Sequence, residues 1–340
     1  MNNQQKNLKP LAKDNDFGVL NTIVDKIARE ILAEFADKQL KENELALSLI
    51  DLTKLCNKDK ESGDLKRPDE HLSIDELPEP VNFRGEEPIY PASVVKLFYL
   101  AAAQQWLEDK KILESDEIVR ACKDMIVDSS NDATHYIVDV LTDTTGGPEL
   151  PPDEMATWME KRNAINRYFQ KLGYKHINVN QKTWGDGPFG RERIAYGKDL
   201  ANRNKLTTNA TARLLSEIVT GKCVSKERSK AMLDLLARDF CKPSHDKACS
   251  QNNSAHNQAA DPDDQSTGFM GSALPPGARL WSKAGWMSTA RHDAVYVELP
   301  DGIRFVLVAF ISGHAKEYAI LPSIAEKVIK ALRKYHNSIV

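Results

Sequence analysis

The chain has 340 residues, 41% of them hydrophobic and 28% charged, with 46 basic and 49 acidic side chains and a net charge of -3. That size and apolar content suit one large globular domain or two coupled ones, and the near balance of charge excludes nucleic acid or an anionic membrane as the main partner. No run of residues is apolar for long enough to span a membrane, so a small molecule or a peptide is the expected partner.

The opening MNNQQKNLKPLAKDNDFG has no apolar core of a secretory signal. A chain that begins this way is expected in the cytoplasm, and in the periplasm if a leader preceded it. Residues 1–17 are expected to form a flexible terminus. From Leu20, the residues Leu20, Ile23, Val24, Ile27, Ile31, Leu32 and Phe35 recur three or four apart, which places them on one face of a helix. Residues 45–52, LALSLIDL, read as a strand. Residues 57–80 are charged and contain Pro68, Pro78 and Pro80, which marks an exposed loop or a long hairpin connection.

The middle of the chain reads as helical. A run from Ser93 carries Leu97, Leu100, Ala101 and Leu107; Ser115 can cap a second helix reaching Met125 and Ile126. Ala133, Tyr136, Ile137, Val140 and Leu141 keep helical spacing up to a stop at Thr145-Gly146-Gly147-Pro148. Pro152 opens another helix, expected to continue to Gly173. Residues 174–206 have scattered glycines and little periodicity, so they read as a long loop of the kind that usually carries function. Thr208 is the expected cap of a helix ending at Gly221.

Residues 242–268 are polar and read as a mobile surface insertion. After them, residues 279–284, 293–299 and 303–311 are rich in Val, Ile, Phe and Tyr, with Pro300-Asp301-Gly302 as a turn: an antiparallel hairpin with a third strand beside it. A last helix from Pro322 carries Ile324, Val328, Ile329 and Leu332. The order of elements puts strands from both chain ends in one sheet flanked by terminal helices. The five cysteines have no C-x-x-C spacing and read as buried or free thiols rather than a disulfide set or a zinc site; no metal or other cofactor is expected.

Three short motifs carry chemistry. Ser93-Val-Val-Lys96 places a hydroxyl and an amine on one helix face, the arrangement a serine nucleophile needs if its proton is to be removed. Ser129-Ser130-Asn131 precedes a helix, where a hydroxyl can relay a proton and an amide can bind a carbonyl; helix capping is the competing reading. Lys283-Ala284-Gly285-Trp286 lies on a strand, with a cation for a carboxylate and a glycine that lets an extended substrate approach the backbone. Arg291 is a further candidate for a substrate carboxylate, against an ordinary surface arginine.

PASVVKLF, SSNDATHY and WSKAGW resemble the three motifs of the class A β-lactamases and penicillin-binding proteins. The resemblance extends to Gly146-Gly147-Pro148, to TTNATARLL and to RHDAVYVELPDGIRFVLVAFISG, and covers roughly residues 20 to 335 in order. It implies a β-lactamase-like α/β (α+β) fold: an antiparallel sheet flanked by N- and C-terminal helices, formed from 18–92 and 222–340, with an all-helical domain of 93–221 inserted. It also implies that Ser93 is acylated, that Lys96 is its base or base partner, and that Ser129 carries the proton to the leaving nitrogen. Asn131 would bind the substrate amide, Lys283 the carboxylate, and the Ser93 and Trp286 amides the oxyanion.

Two departures from the family stand out. Ala284 occupies a position where threonine or serine is usual, which removes a hydroxyl donor to the substrate carboxylate. The long loop lacks the Glu-x-x-Leu-Asn pattern whose glutamate activates the deacylating water. Glu192, between Arg191 and Arg193, is the only glutamate from 174 to 206, and is either that base or one half of an ion pair. The first expectation is therefore a class A β-lactamase-type hydrolase acting on β-lactams or similar amides and esters. A D-alanyl-D-alanine carboxypeptidase or penicillin-binding protein with slow deacylation is the second, and a ligand-binding homologue without turnover the third.

Overall fold

The computed structural model of the chain describes residues 13–58, 65–68, 77–185, 187–238 and 262–338. Helix α1 (Lys13–Glu34) buries the stripe Val24, Ile27, Ala28 and Ile31, as its spacing requires. Strand β1 (Leu45–Asp51) follows, then a small antiparallel hairpin of β2 (Cys56–Lys58) and β3 (Leu65–Pro68), and β4 (Val81–Phe83). A block of helices comes next: α2 (Lys96–Glu108), α3 (Asp116–Ile126), α4 (Asn131–Thr142), α5 (Pro152–Arg162), α6 (Ala164–Lys171), α7 (Gly190–Tyr196), α8 (Thr208–Val219) and α9 (Lys226–Leu236). The chain ends with β5 (Ala237–Arg238), β6 (Arg279–Met287), β7 (Ala290–Glu298), β8 (Arg304–Ser312) and α10 (Ile320–Asn337).

One antiparallel sheet has the order β4-β1-β8-β7-β6-β5, so β1 from the first part of the chain pairs along its whole length with β8 from the last. Both faces of the sheet are covered. Leu45, Leu47 and Leu49 of β1, with Leu307, Ala309 and Ile311 of β8, belong to the core shared with α1 and α10; Ala46, Ile50, Val306, Val308 and Phe310 belong to the core shared with the helical block. A strand buried on both faces cannot alternate apolar with polar, which is why residues 305–311 are an unbroken apolar run. Among the described residues no helix is long and apolar enough to cross a membrane.

Several sequence expectations shift. The helix expected from Pro152 to Gly173 is two helices, because Asn163 leaves helical geometry and its side chain accepts from Asn166 and Asn180. The stop after α4 is Asp143 in the left-handed region, ahead of the Gly-Gly-Pro run. Thr207, not Thr208, caps α8 by accepting from the Ala210 amide. Helix α9, for which the sequence pattern gives no expectation, is capped by Ser225 and buries Met232, Leu233 and Leu236 in the core of the helical block, so that block runs on beyond residue 221. The first helix begins at Lys13, inside the stretch expected to be flexible. Cys122 and Cys223 are buried free thiols, as expected.

Residues 57–80 and 242–268 divide. β2 and β3 pair within residues 57–80, of which 59–64 and 69–76 lie outside the described residues, as do 239–261. Residues 262–268 are not a loose surface segment: Pro262 O and Asp263 are held by Arg291, and Gln265 is bonded to β6.

Candidate active site

Ser93 sits in a 3-10 turn, Ala92–Val95, that feeds directly into α2. The residue before it, Ala92, has φ 47°, a left-handed conformation that a non-glycine side chain tolerates only when its surroundings impose it. The surroundings are β6 and β7. A Cβ on Gly285 would lie 2.8 Å from Pro91 O, Ser93 N and Val94 N, so only glycine lets the strand press this closely on the turn. Gly285 thus makes room for the turn that carries Ser93 rather than for a substrate backbone. Opposite Gly285 in the register, buried His292 accepts from Ile311 N at Nδ1 (3.0 Å), which leaves Nε2 to donate to Tyr90 O (2.9 Å). Burial pushes its pKa down to about 4, so the ring is neutral and clamps the segment leading to Ser93.

Under that turn lie the other motif residues. Lys96, on the first turn of α2, is 0% exposed; its Nζ donates to Ser129 O (2.5 Å), Asn131 Oδ1 (2.9 Å) and Ser129 Oγ (3.2 Å). Lys283, also 0% exposed, reaches Ser129 Oγ from the other side at 3.0 Å. One hydroxyl therefore stands between two buried amines. The SSN triplet splits the two roles the sequence allowed: Ser130 caps α4 by accepting from Ala133 N, while Ser129, at φ 55°, and Asn131 turn into the site.

Burial lowers the pKa of both amines. Lys96 falls to about 7 through desolvation alone. Lys283 falls well below its usual value through desolvation, with repulsion from Lys96 and Arg238 adding to it and the buried Asp293 carboxylate opposing it. Asp293 is itself pushed up to about 6 by burial. An amine near 7 can hold or release a proton at neutral pH, which is what a base for a serine hydroxyl must do. Ser93 Oγ is not yet among the partners of Lys96 Nζ; such bonds commonly close only around a bound substrate.

Gln265 and Arg238 complete this corner, and sequence reasoning missed both. Gln265 Oε1 accepts from Lys283 Nζ (3.0 Å) and Ala284 N (3.3 Å), while its Nε2 donates to Val127 O (3.0 Å). Buried Arg238 donates to Ser282 O at 2.8 Å. Ala284 faces away from the cleft, packed in the α1–α10 core. Arg291 faces the same way: it pairs with Asp263 (2.7 Å) and stacks on Phe269 (3.8 Å to the ring centre). Lys283 is opposite Ala294, and Arg291 is an odd number of residues from Ala294 along β7, so strand alternation sends the arginine to the other face. It is buried and ion-paired, neither a cleft residue nor an ordinary surface arginine.

Glu192 also lies apart from the motif residues. It is 1% exposed on α7 and is held by Arg162 (2.7 and 3.2 Å) and Lys182 (3.2 Å). Asp139 closes the network, with Lys182 at 2.6 Å and Arg162 at 3.2 Å, and Arg162 stacks on Trp158. Gly190 explains why α7 escaped the sequence reading: it starts a helix of 7 residues at φ 48°, and a Cβ there would meet Gly147 O at 2.1 Å.

Above Ser93 a cleft of about 250 Å³ is lined by Ser93, Asn131, Thr183, Trp184, Tyr196, Arg203, Trp286 and their neighbours. A larger hollow, about 820 Å³, lies on the helical block around Asp143, Trp158 and Lys161, and contains none of the motif residues. Helix α4 ties the wall of the smaller cleft to the Glu192 network. Asn131, His135 and Asp139 follow at four-residue intervals: the first faces the cleft, the second meets Thr183 O (2.7 Å) and stacks on Trp184, and the third holds Lys182. No carboxylate lines the cleft among the described residues.

The model of the β-lactamase enzyme family matches residues 71–244 and 246–332, most of the chain. The chain belongs to that family. Its fold is similar to the solved structure of PBP-A, at 16% identity and TM-score 0.56 over 91% of this chain and 96% of that one. It is equally similar to a mutant of PBP-A in its acyl-enzyme complex with penicillin-G, at 17% identity and TM-score 0.57 over 92% and 97%. A β-lactamase from Sphaerobacter thermophilus DSM 20745 matches at 14% identity and TM-score 0.59 over 91% and 97%. No curated protein matches the chain by sequence. Family membership and fold make the protein a serine β-lactamase/penicillin-binding type of hydrolase, with the six-stranded antiparallel sheet and the helical block expected from its motifs.

Proposed function

We propose that the protein is a penicillin-binding type of serine acyl-transfer enzyme that is acylated at Ser93 by β-lactams or D-alanyl peptides and releases the acyl group slowly. Neutral Lys96 accepts the proton of Ser93 Oγ as that oxygen bonds to the substrate carbonyl carbon. The Ser93 and Trp286 amides receive the oxyanion. As the carbon–nitrogen bond breaks, Ser129 gives its proton to the leaving nitrogen and regains one from Lys96. Asn131 holds the substrate amide, and Lys283 its carboxylate in place of Gln265 Oε1.

The observation that carries this reading is the contrast between the two ends of the site. Ser129 Oγ is flanked by two buried amines, ready for proton transfer, whereas Glu192 is enclosed by Arg162 and Lys182. The residues that line the loop side of the cleft, among them Thr183, Trp184 and Tyr196, include no carboxylate among the described residues. Hydrolysis of an acyl-enzyme needs a base for water, and Glu192 is not presented as one. This favours the second sequence reading over the class A β-lactamase. Intact mass after incubation with benzylpenicillin tests it: a stable adduct of one penicillin on the wild type and none on Ser93→Ala is expected. Absence of any adduct and of any hydrolysis in the wild type would sink the reading.

A further inference from the structure

Arg203 is the one charged side chain in the lining of the described cleft, and its charge is unmatched. Its side chain donates through Nη2 to Met287 Sδ (3.4 Å), a weak acceptor, and no carboxylate meets it among the described residues. The guanidinium is held flat 3.3 Å from the centre of the Tyr90 ring, a stack that orients the fork without using up its donors. Tyr90 directly precedes Pro91 and the turn of Ser93, so the arginine is fixed relative to the nucleophile. The rest of the lining is neutral. A guanidinium that no carboxylate meets, stacked on Tyr90 with its fork unspent, favours an anionic, acceptor-rich group.

Lys283 is bonded to Ser129, is not part of this cleft lining, and is already assigned the carboxylate common to substrates of this reading. A second cation over Ser93 therefore has no counterpart in a singly charged substrate. Building on the acyl-transfer reading, we infer that Arg203 selects acyl donors that carry a second carboxylate on the acyl side, as a dianionic penicillin or a peptide with an acidic side chain does.

α-Carboxybenzylpenicillin and benzylpenicillin differ by one carboxylate at the relevant place, so the ratio of their acylation rates reads the inference directly. Rates are followed by intact mass, and taking the ratio within each variant removes any general loss of folded protein. The wild type should be acylated by the dianionic compound about tenfold faster or more, as expected of one charge-assisted bond. The ratio should fall to about one in Arg203→Gln and below one in Arg203→Glu, with Arg203→Lys between wild type and Arg203→Gln because it keeps the charge but not the fork. Adducts from both compounds with a wild-type ratio of one or less, or a ratio unchanged by Arg203→Gln, would overturn the inference and leave the acyl-transfer reading standing. Failure of both compounds to acylate the wild type would overturn that reading and the inference with it.

Discussion

Two buried charged clusters lie two turns apart along one face of helix α4, at Asn131 and at Asp139, and they are built on opposite principles. Around Ser129 there are two amines, Lys96 and Lys283, sharing one hydroxyl, with Asp293 the compensating carboxylate. Around Glu192 there are two cations and two carboxylates, Arg162, Lys182, Glu192 and Asp139, each bonded to members of opposite sign. The first cluster is unbalanced, so burial lowers the pKa of both amines and brings Lys96 to about 7, where it can move a proton at neutral pH. The second is balanced, and its members are held by one another. A charged residue buried beside a cleft is thus no sign of chemistry by itself; what matters is whether its partners already satisfy it.

The sharpest way to break this contrast is to remove one member from each cluster. Lys96→Met should slow acylation by about 100- to 10,000-fold, the range for loss of a general base, measured as the rate of adduct formation with benzylpenicillin. A loss of less than about tenfold would mean that the unbalanced cluster is not the proton acceptor. Glu192→Gln should destabilise the fold by about 3 to 5 kcal/mol, since Arg162 and Lys182 keep Asp139 as their only carboxylate, and chemical denaturation reads this. A stability within error of wild type would contradict the structural role of Glu192.

Much of this was legible in the sequence, and the exceptions have physical reasons. Lys96, Ser129, Asn131 and Lys283 form one bonded group, with Ser93 beside Asn131 in the cleft lining, and each was legible because it sits on a local element: a helix start, a cap or a strand. Ser115 and Pro152 mark their helices for the same reason. Arg291 could not be placed, because the start of β7, Ala-Arg-His-Asp-Ala, has no apolar alternation to show which face each residue takes. Gln265 lies in a polar stretch with no periodicity, and its contacts with Lys283 come entirely from tertiary structure. Arg203, in a loop without pattern, was missed for the same reason.

Smaller effects sharpen the comparison further. Gly285→Ala would force β6 off the turn of Ser93 and should cost about 1 to 3 kcal/mol of stability together with slower acylation; unchanged rate and stability would mean that the close approach is dispensable. The unbalanced cluster should also make stability depend on pH. Lys96 has its pKa lowered from 10.5 to about 7 in the folded protein, so between those values the unfolded chain binds a proton that the folded chain does not. Stability should therefore rise as pH increases across that window, and Lys96→Met should reduce the slope, with Lys283 accounting for a remainder of the same sign. Denaturation midpoints at pH 7, 8 and 9 (about one unit apart, within the window) would reveal it, and an identical slope in wild type and variant would show that Lys96 is not the source.

The lifetime of the acyl-enzyme tests the central claim most directly. Wild type and Glu192→Gln, each acylated with benzylpenicillin and freed of excess drug, are followed by intact mass under conditions where both are folded. The inert, balanced state of the Glu192 cluster predicts a long-lived adduct on Ser93 with the same lifetime in both proteins. A short-lived wild-type adduct that becomes long-lived in Glu192→Gln would contradict it, making Glu192 the deacylating base and the protein a β-lactamase.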